Sequence, residues 1–260
     1  KVTRYPNEEL NRNQWYAGRM DGLVWGYETV GIAKTDAEME AHLASLPNGG
    51  QSQLGSKWAA GDIMYKDLNG DGKISSGDGT LNDLGDLKVV ANTQLRFKYG
   101  LTLDASWKGF DFSAFFQGVG KRDVVVGGPY FWGANGQGMW QAAAFKDHMD
   151  YFRPEDTESV FGPNVDAYYP RVIFGGGSSE GGKNTLTQSR YVQNGAYIRL
   201  KNLQLGYTLP STITKKFAVN SLRVYVSGDN LWTGTKMRVF DPEVLGSTGD
   251  AGKAYPLARV

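Results

Sequence analysis

Alternation of apolar and polar side chains is the strongest signal along the chain. Leu95, Phe97, Tyr99, Leu101, Leu103, Ala105 and Trp107 interleave with Arg96, Lys98, Gly100, Thr102, Asp104, Ser106 and Lys108. A period of two held this long predicts a β-strand with one apolar and one polar face. At ~3.3 Å per residue it spans roughly 46 Å, far beyond the ~5 or 6 residues of an ordinary strand. Lys108-Gly109 predicts a two-residue hairpin turn. The return strand sets Phe110, Phe112, Ala114, Phe116 and Gly118 against Asp111, Ser113 and Gln117, with Phe115 breaking the pattern. A second hairpin is predicted further on. Ile198 and Leu200 share one parity and Leu203, Leu205, Tyr207 and Leu209 the other, so a β-bulge is expected near Asn202. Pro210 ends that strand. Alternation restarts through Leu222, Val224 and Val226 up to Leu231-Trp232, and a fifth strand is expected at Tyr255.

Elsewhere the periodicity is weak. Thr35 followed by Glu38 reads as a capping box, opening a helix with Met39, Leu43 and Leu46 that Pro47 stops. A short helix is expected within 145–152. Residues 62–86, dense in Asp, Gly and Asn, should be irregular. The stretch 121–190 is too long and rich in Gly and Pro for a compact linker, and loops of that size are usually functional.

Composition narrows the class. Lys and Arg total 28 against 27 Asp and Glu, a balance that argues against a nucleic-acid partner, which calls for a basic excess. With no cysteine there is no disulfide framework or thiolate site, and two histidines leave little for a His-based metal or nucleophile site. Lys1 to Pro6 carries no apolar core of a leader peptide. No apolar run approaches a transmembrane helix, yet a mean hydropathy of −0.42 also suits a membrane β-barrel, whose strands alternate lipid-facing and lumen-facing residues. The long strand ending in Trp107 favours that class. The expected fold is all-β, a partial transmembrane antiparallel β-barrel with long extracellular loops. Four or five strands are too few to close a barrel, so the chain is expected to be a piece of one. Residues 1–93 would form an extracellular loop region, and 94–260 would form C-terminal barrel strands carrying the long loop 121–190.

One motif carries ion chemistry. In Asp67-Leu68-Asn69-Gly70-Asp71-Gly72-Lys73-Ile74-Ser75-Ser76-Gly77-Asp78 the spacing is that of an EF-hand-type Ca2+ loop. Asp67, Asn69 and Asp71 offer oxygens at positions one, three and five, the Lys73 carbonyl at seven and Ser75 at nine. Gly72 sits where the loop turns, and Asp78 closes position twelve in place of the usual Glu. No paired helices flank it, so a structural clip is expected. Other chemistry is thin. His148 beside Asp147 and Asp150 reads as a solvated face, and no convincing pair of catalytic carboxylates is present, so no enzymatic activity is expected. Trp132, Trp140, Tyr151, Tyr168 and Tyr169 in the long loop are the candidate substrate- or partner-binding surface.

Several longer runs resemble a known family. Gly61-Asp62-Ile63-Met64-Tyr65-Lys66-Asp67-Leu68-Asn69-Gly70-Asp71-Gly72, Tyr99-Gly100-Leu101 and Trp107-Lys108-Gly109-Phe110-Asp111-Phe112-Ser113-Ala114-Phe115-Phe116-Gln117-Gly118 are similar to the SusC/RagA family of TonB-linked outer-membrane transporters. So are Ala196-Tyr197-Ile198-Arg199-Leu200-Lys201-Asn202-Leu203-Gln204-Leu205-Gly206-Tyr207-Thr208-Leu209-Pro210, Tyr225-Val226-Ser227-Gly228-Asp229-Asn230-Leu231-Trp232 and Asp241-Pro242-Glu243. The resemblance implies a plugged 22-stranded barrel that imports glycans or peptides, with a SusD-like surface lipoprotein as lid and energy from the TonB complex. The plug and its TonB-contacting segment are not matched in this sequence. Short turns belong on the periplasmic side and long loops outside, which puts Lys108-Gly109 and the Pro210 turn inside and 121–190 outside. The rival class is a secreted, calcium-stabilised all-β glycan-binding module, and a calcium-dependent glycan hydrolase comes third.

Overall fold

The computed structural model describes residues 1–135, 145–174, 179–238 and 240–243. Trp140 and the strand expected at Tyr255 fall outside them. The chain divides into two compact units. One holds residues 1–94 and 124–192, the other 95–123 together with the described residues from 193 onward.

The first unit contains strands β1 (Leu23–Tyr27), β2 (Thr29–Ile32), β3 (Ile63–Tyr65) and β4 (Leu87–Asn92) and helix α1 (Asp36–Ala44). β1 pairs with β4 and β2 with β3, both antiparallel. Thr35 caps α1 by accepting the Glu38 N–H, while Glu38 reaches back to the Lys34 N–H. Met39 is fully buried against Ala33 and Met64, with Leu43 and Trp58 beside them. Among the described residues β3 has no third strand beside it. Its remaining edge is met by buried side chains: the Gln51 amide donates to the Ile63 carbonyl and accepts from the Tyr65 N–H, and the Asn184 oxygen accepts the Ile63 N–H.

A buried charge knot ties the long connection into this unit. Asp62 is fully buried and takes both arms of Arg171, at 2.7 and 2.8 Å, the Lys183 ammonium at 2.9 Å and the Asn184 amide at 2.8 Å. Lys183, itself fully buried, also reaches Glu180 and the carbonyls of Ser56 and Lys57. Each charge there is matched by an opposite one, the condition for tolerating buried ions.

The second unit is a four-stranded antiparallel sheet in the order β10-β9-β6-β5. β5 is Arg96–Trp107, β6 Phe110–Lys121, β9 Tyr197–Thr208 and β10 Arg223–Thr235. The chain passes between the two units at β7 (Asp123–Val125) and β8 (Val192–Asn194). Lys108 and Gly109 both adopt positive φ, 48° and 90°, the backbone of a type I′ turn whose twist matches its strands. The phase change near Asn202 has a visible cause. Phe115 pairs with Asn202 but Phe116 with Leu200, so Lys201 is an extra residue in β9.

Register makes one face of the sheet continuous. Leu101, Phe116 and Leu200 lie level with Trp232, and Ala105, Phe112 and Leu205 with Val226. That apolar face is open: Leu101 is 51%, Leu205 55% and Val226 68% exposed. The opposite face carries Thr102, Asp104, Ser113, Gln117, Gln204 and Ser227. On it Phe115 lies close over Gly100, where a Cβ would meet its ring at 3.2 Å. Arg223 bridges to Asp111 across the intervening strand at Gly206, where a Cβ would sit 2.6 Å from both side chains.

Candidate functional site

The acidic loop is built by local turns. Asp67 accepts the Gly70 and Gly72 N–H groups, Asn69 accepts that of Asp71, and Asp71 that of Lys73. The loop is seated on residues 48–50. Asn48 donates to the Gly72 and Asp71 carbonyls, Ile74 donates to Gly50, and the Ile74 side chain is fully buried.

Asp78 does not join this group. Its exposed carboxylate accepts the Thr80 N–H, and that hydroxyl and N–H hold its pKa below the usual value. Asp86 takes the interior place instead. It is fully buried, accepts the N–H groups of Leu68 and Ser75 at 2.7 Å each, and its own N–H donates to Ser75. One carboxylate oxygen from each of Asp67, Asp71 and Asp86 lies within 4.8 Å of the others. Burial raises the Asp86 pKa, and the charges of Asp67 and Asp71 push it further against the two backbone donors. Three converging carboxylates are a hard-oxygen set that fits Ca2+. The Lys73 ammonium stands 4.0 Å from Asp71 as a partial counter-charge.

The aromatic residues of the long loop divide between interior and surface. Phe131 is fully buried, with the rings of Trp132, Tyr169 and Tyr191 around it at 4.8, 5.4 and 5.8 Å. Trp132 and Tyr169 are buried within this ring cluster, at 6% and 4% exposure. Tyr168 is half-buried against the same cluster, and Tyr151 is half-buried under the Arg153 guanidinium at 4.7 Å. His148 is not a solvated face. Its Nδ1 accepts the Phe145 N–H, and its Nε2 lies 3.1 Å from the Tyr130 and Phe131 carbonyls. Trp132 and Tyr191 do line a cleft of about 490 Å³ with Val24, Val126, Leu186 and Gln188. The apolar side chains that this loop exposes are others, foremost Val160 at 93% and Phe161 at 60%.

No family model matches the chain. It is 30% identical over 226 residues to TonB-dependent receptor P3 of Formosa agariphila, covering 87% of this chain and 19% of that protein. TonB-dependent receptor P26 of the same organism is 30% identical over 221 residues, covering 84% and 19%. The chain thus spans about a fifth of the length of the curated relatives it matches. Among solved structures it is similar to the RagAB peptide transporter, with a TM-score of 0.55 at 22% identity, covering 89% of this chain and 21% of that one. The RagAB peptide importer in its closed-closed state gives 0.55 at 20% identity, covering 94% and 23%. At those identities the structures speak to the fold.

Proposed function

We propose that this chain, which belongs to the SusC/RagA type of TonB-dependent receptor, supplies barrel wall and extracellular loops to an outer-membrane importer of large nutrients. The observation that carries the reading is the division of the four-stranded sheet into one open apolar face and one polar face. Such a sheet is stable with lipid on one side and a hydrated or plugged lumen on the other. A secreted binding module would have to cover the apolar face, so the rival reading is disfavoured. The relatives are receptors and transporters, which supports a non-enzymatic role. Glycans and peptides are the two cargo classes that fit this reading. A SusD-like lipoprotein acts as the lid, and the TonB complex works through a plug outside this sequence.

Ca2+, held by Asp67, Asp71 and Asp86 with help from Asn69, Ser75 and the Lys73 carbonyl, clips the loop segment ahead of the strands. It serves as a structural ion.

These 260 residues contain no cysteine, so the lipid test uses single cysteines here in a background where any cysteine elsewhere is replaced. In the full-length transporter, a fluorophore on Leu101→Cys, Leu103→Cys or Leu205→Cys should be quenched by nitroxide-labelled lipid. The same label on Thr102→Cys or Gln204→Cys should not. Equal quenching on both faces, or none on either, would overturn the membrane reading.

A further inference from the structure

We propose that residues 154–163 form a rigid apolar finger that inserts Val160 and Phe161 into an apolar socket with a basic rim on the SusD-like lipoprotein. This rests on the lid reading above and names the element that does the docking. Among the described residues of the loop, Val160 and Phe161 are the most exposed pair of neighbouring apolar side chains, at 93% and 60%.

The tip is held still from below. Arg153 and Asn164 exchange both backbone hydrogen bonds, closing the base. The Arg153 guanidinium, buried beneath, donates to the Gly162 carbonyl just behind the tip and to the Met149 carbonyl. Above it the Gly162 N–H closes a turn onto Ser159, whose hydroxyl accepts the Phe161 N–H. Pro154 and Pro163 stiffen the two flanks. A preorganised tip loses little entropy on docking, so its apolar contact is available for affinity.

Charge selects the kind of partner. From Pro154 to Pro170 the sequence contains no Lys or Arg, and Glu155, Asp156 and Glu158 are exposed beside the tip with no ion pair among the described residues. An acidic collar is repelled by an anionic membrane surface. The apolar tip and acidic collar match a protein surface with a hydrophobic hollow ringed by Lys or Arg, where such a collar steers approach and fixes register.

The test uses the full-length transporter with its purified lipoprotein. Val160→Ser with Phe161→Ser should weaken binding at least tenfold, as removal of a central anchor does. Glu155→Gln with Asp156→Asn and Glu158→Gln should slow association and flatten its salt dependence. Both sets are exposed, so thermal unfolding should match wild type. Binding within twofold of wild type for both sets overturns the finger alone. Failure of wild type to bind removes the lid reading, and the finger with it. Loss of binding to vesicles of outer-membrane lipid, with lipoprotein binding unchanged, would also overturn the assignment.

Discussion

A buried carboxylate is tolerated only when something matches its charge, and two aspartates in the first unit meet that demand differently. Asp62 faces Arg171, Lys183 and Asn184. Asp86 has, among the described residues, the N–H groups of Leu68 and Ser75 as donors, and it faces two further carboxylates. Its pKa is raised for that reason, mainly by burial. The folded chain therefore binds a proton at Asp86 more tightly than the unfolded chain does. Stability from this group is present below the ordinary Asp range near ~3.9 and is lost as pH rises through the raised value. Bound Ca2+ acts in the opposite direction, because it favours the ionised form and competes with the proton. Calcium affinity should thus fall on acidification, beginning above the ordinary Asp range. Asp86→Asn should weaken calcium binding by an order of magnitude or more, while Asp78→Asn leaves it within about twofold. Calorimetric titration of both variants across pH 4 to 7 checks this, and a larger loss for Asp78→Asn would restore the linear EF-hand reading. The difference was not legible in the motif. Positions one to nine repeat a local pattern, whereas the Asp86 carboxylate arrives through the fold, by the pairing of its backbone with Ser75.

At the scale of elements, alternation was legible wherever one face had to be uniform. The four long strands, the Lys108-Gly109 turn and the extra residue at Lys201 all follow from period and phase. The short strands of the first unit left no such signature. β3 has three residues buried on both faces, and a side chain stands in for its missing neighbour. Gln188 plays a related part, donating to the Tyr65 hydroxyl and the Asn184 carbonyl and accepting from Thr29. A glutamine spent in this way looks like any polar loop residue in sequence. The two faces of the long strands also set a contrast. Leu101 lies on the open apolar face, while its neighbour Thr102 points to the polar side across from Phe115. Leu101→Arg should cost ~2 to 4 kcal/mol more than Thr102→Arg if Leu101 sits near the bilayer midplane. Urea-driven folding of the full-length transporter into vesicles measures the difference, and equal costs would contradict a lipid-facing Leu101.

For the whole molecule, the decisive feature is that the long connection is part of a folded unit rather than a cover laid over strands. Residues 124–192 share a compact unit with 1–94. Their Arg171, Lys183 and Asn184 neutralise and hydrogen-bond Asp62, and the Lys183 carbonyl accepts the buried Tyr65 hydroxyl. Asp62→Asn leaves Lys183 without one of its two carboxylates inside the protein, a loss worth about 3 to 5 kcal/mol by analogy with other broken buried pairs. That loss should fall on the first unit. The sheet of the second draws its strand pairing from 95–123 and 193–235, and contains none of these residues. Excising 127–185 from the full-length transporter removes every partner of Asp62 beyond residue 94 and most of the ring cluster around Phe131. Outer-membrane insertion should survive, because the four strands and their turns are untouched. Residues 34–60 should become open to protease, and calcium binding should weaken, since the loop is seated on 48–50. Limited proteolysis of outer-membrane fractions, with and without Ca2+, reads both effects. A variant that inserts, resists protease through 34–60 and binds calcium like wild type would show that the connection is an appended cover after all.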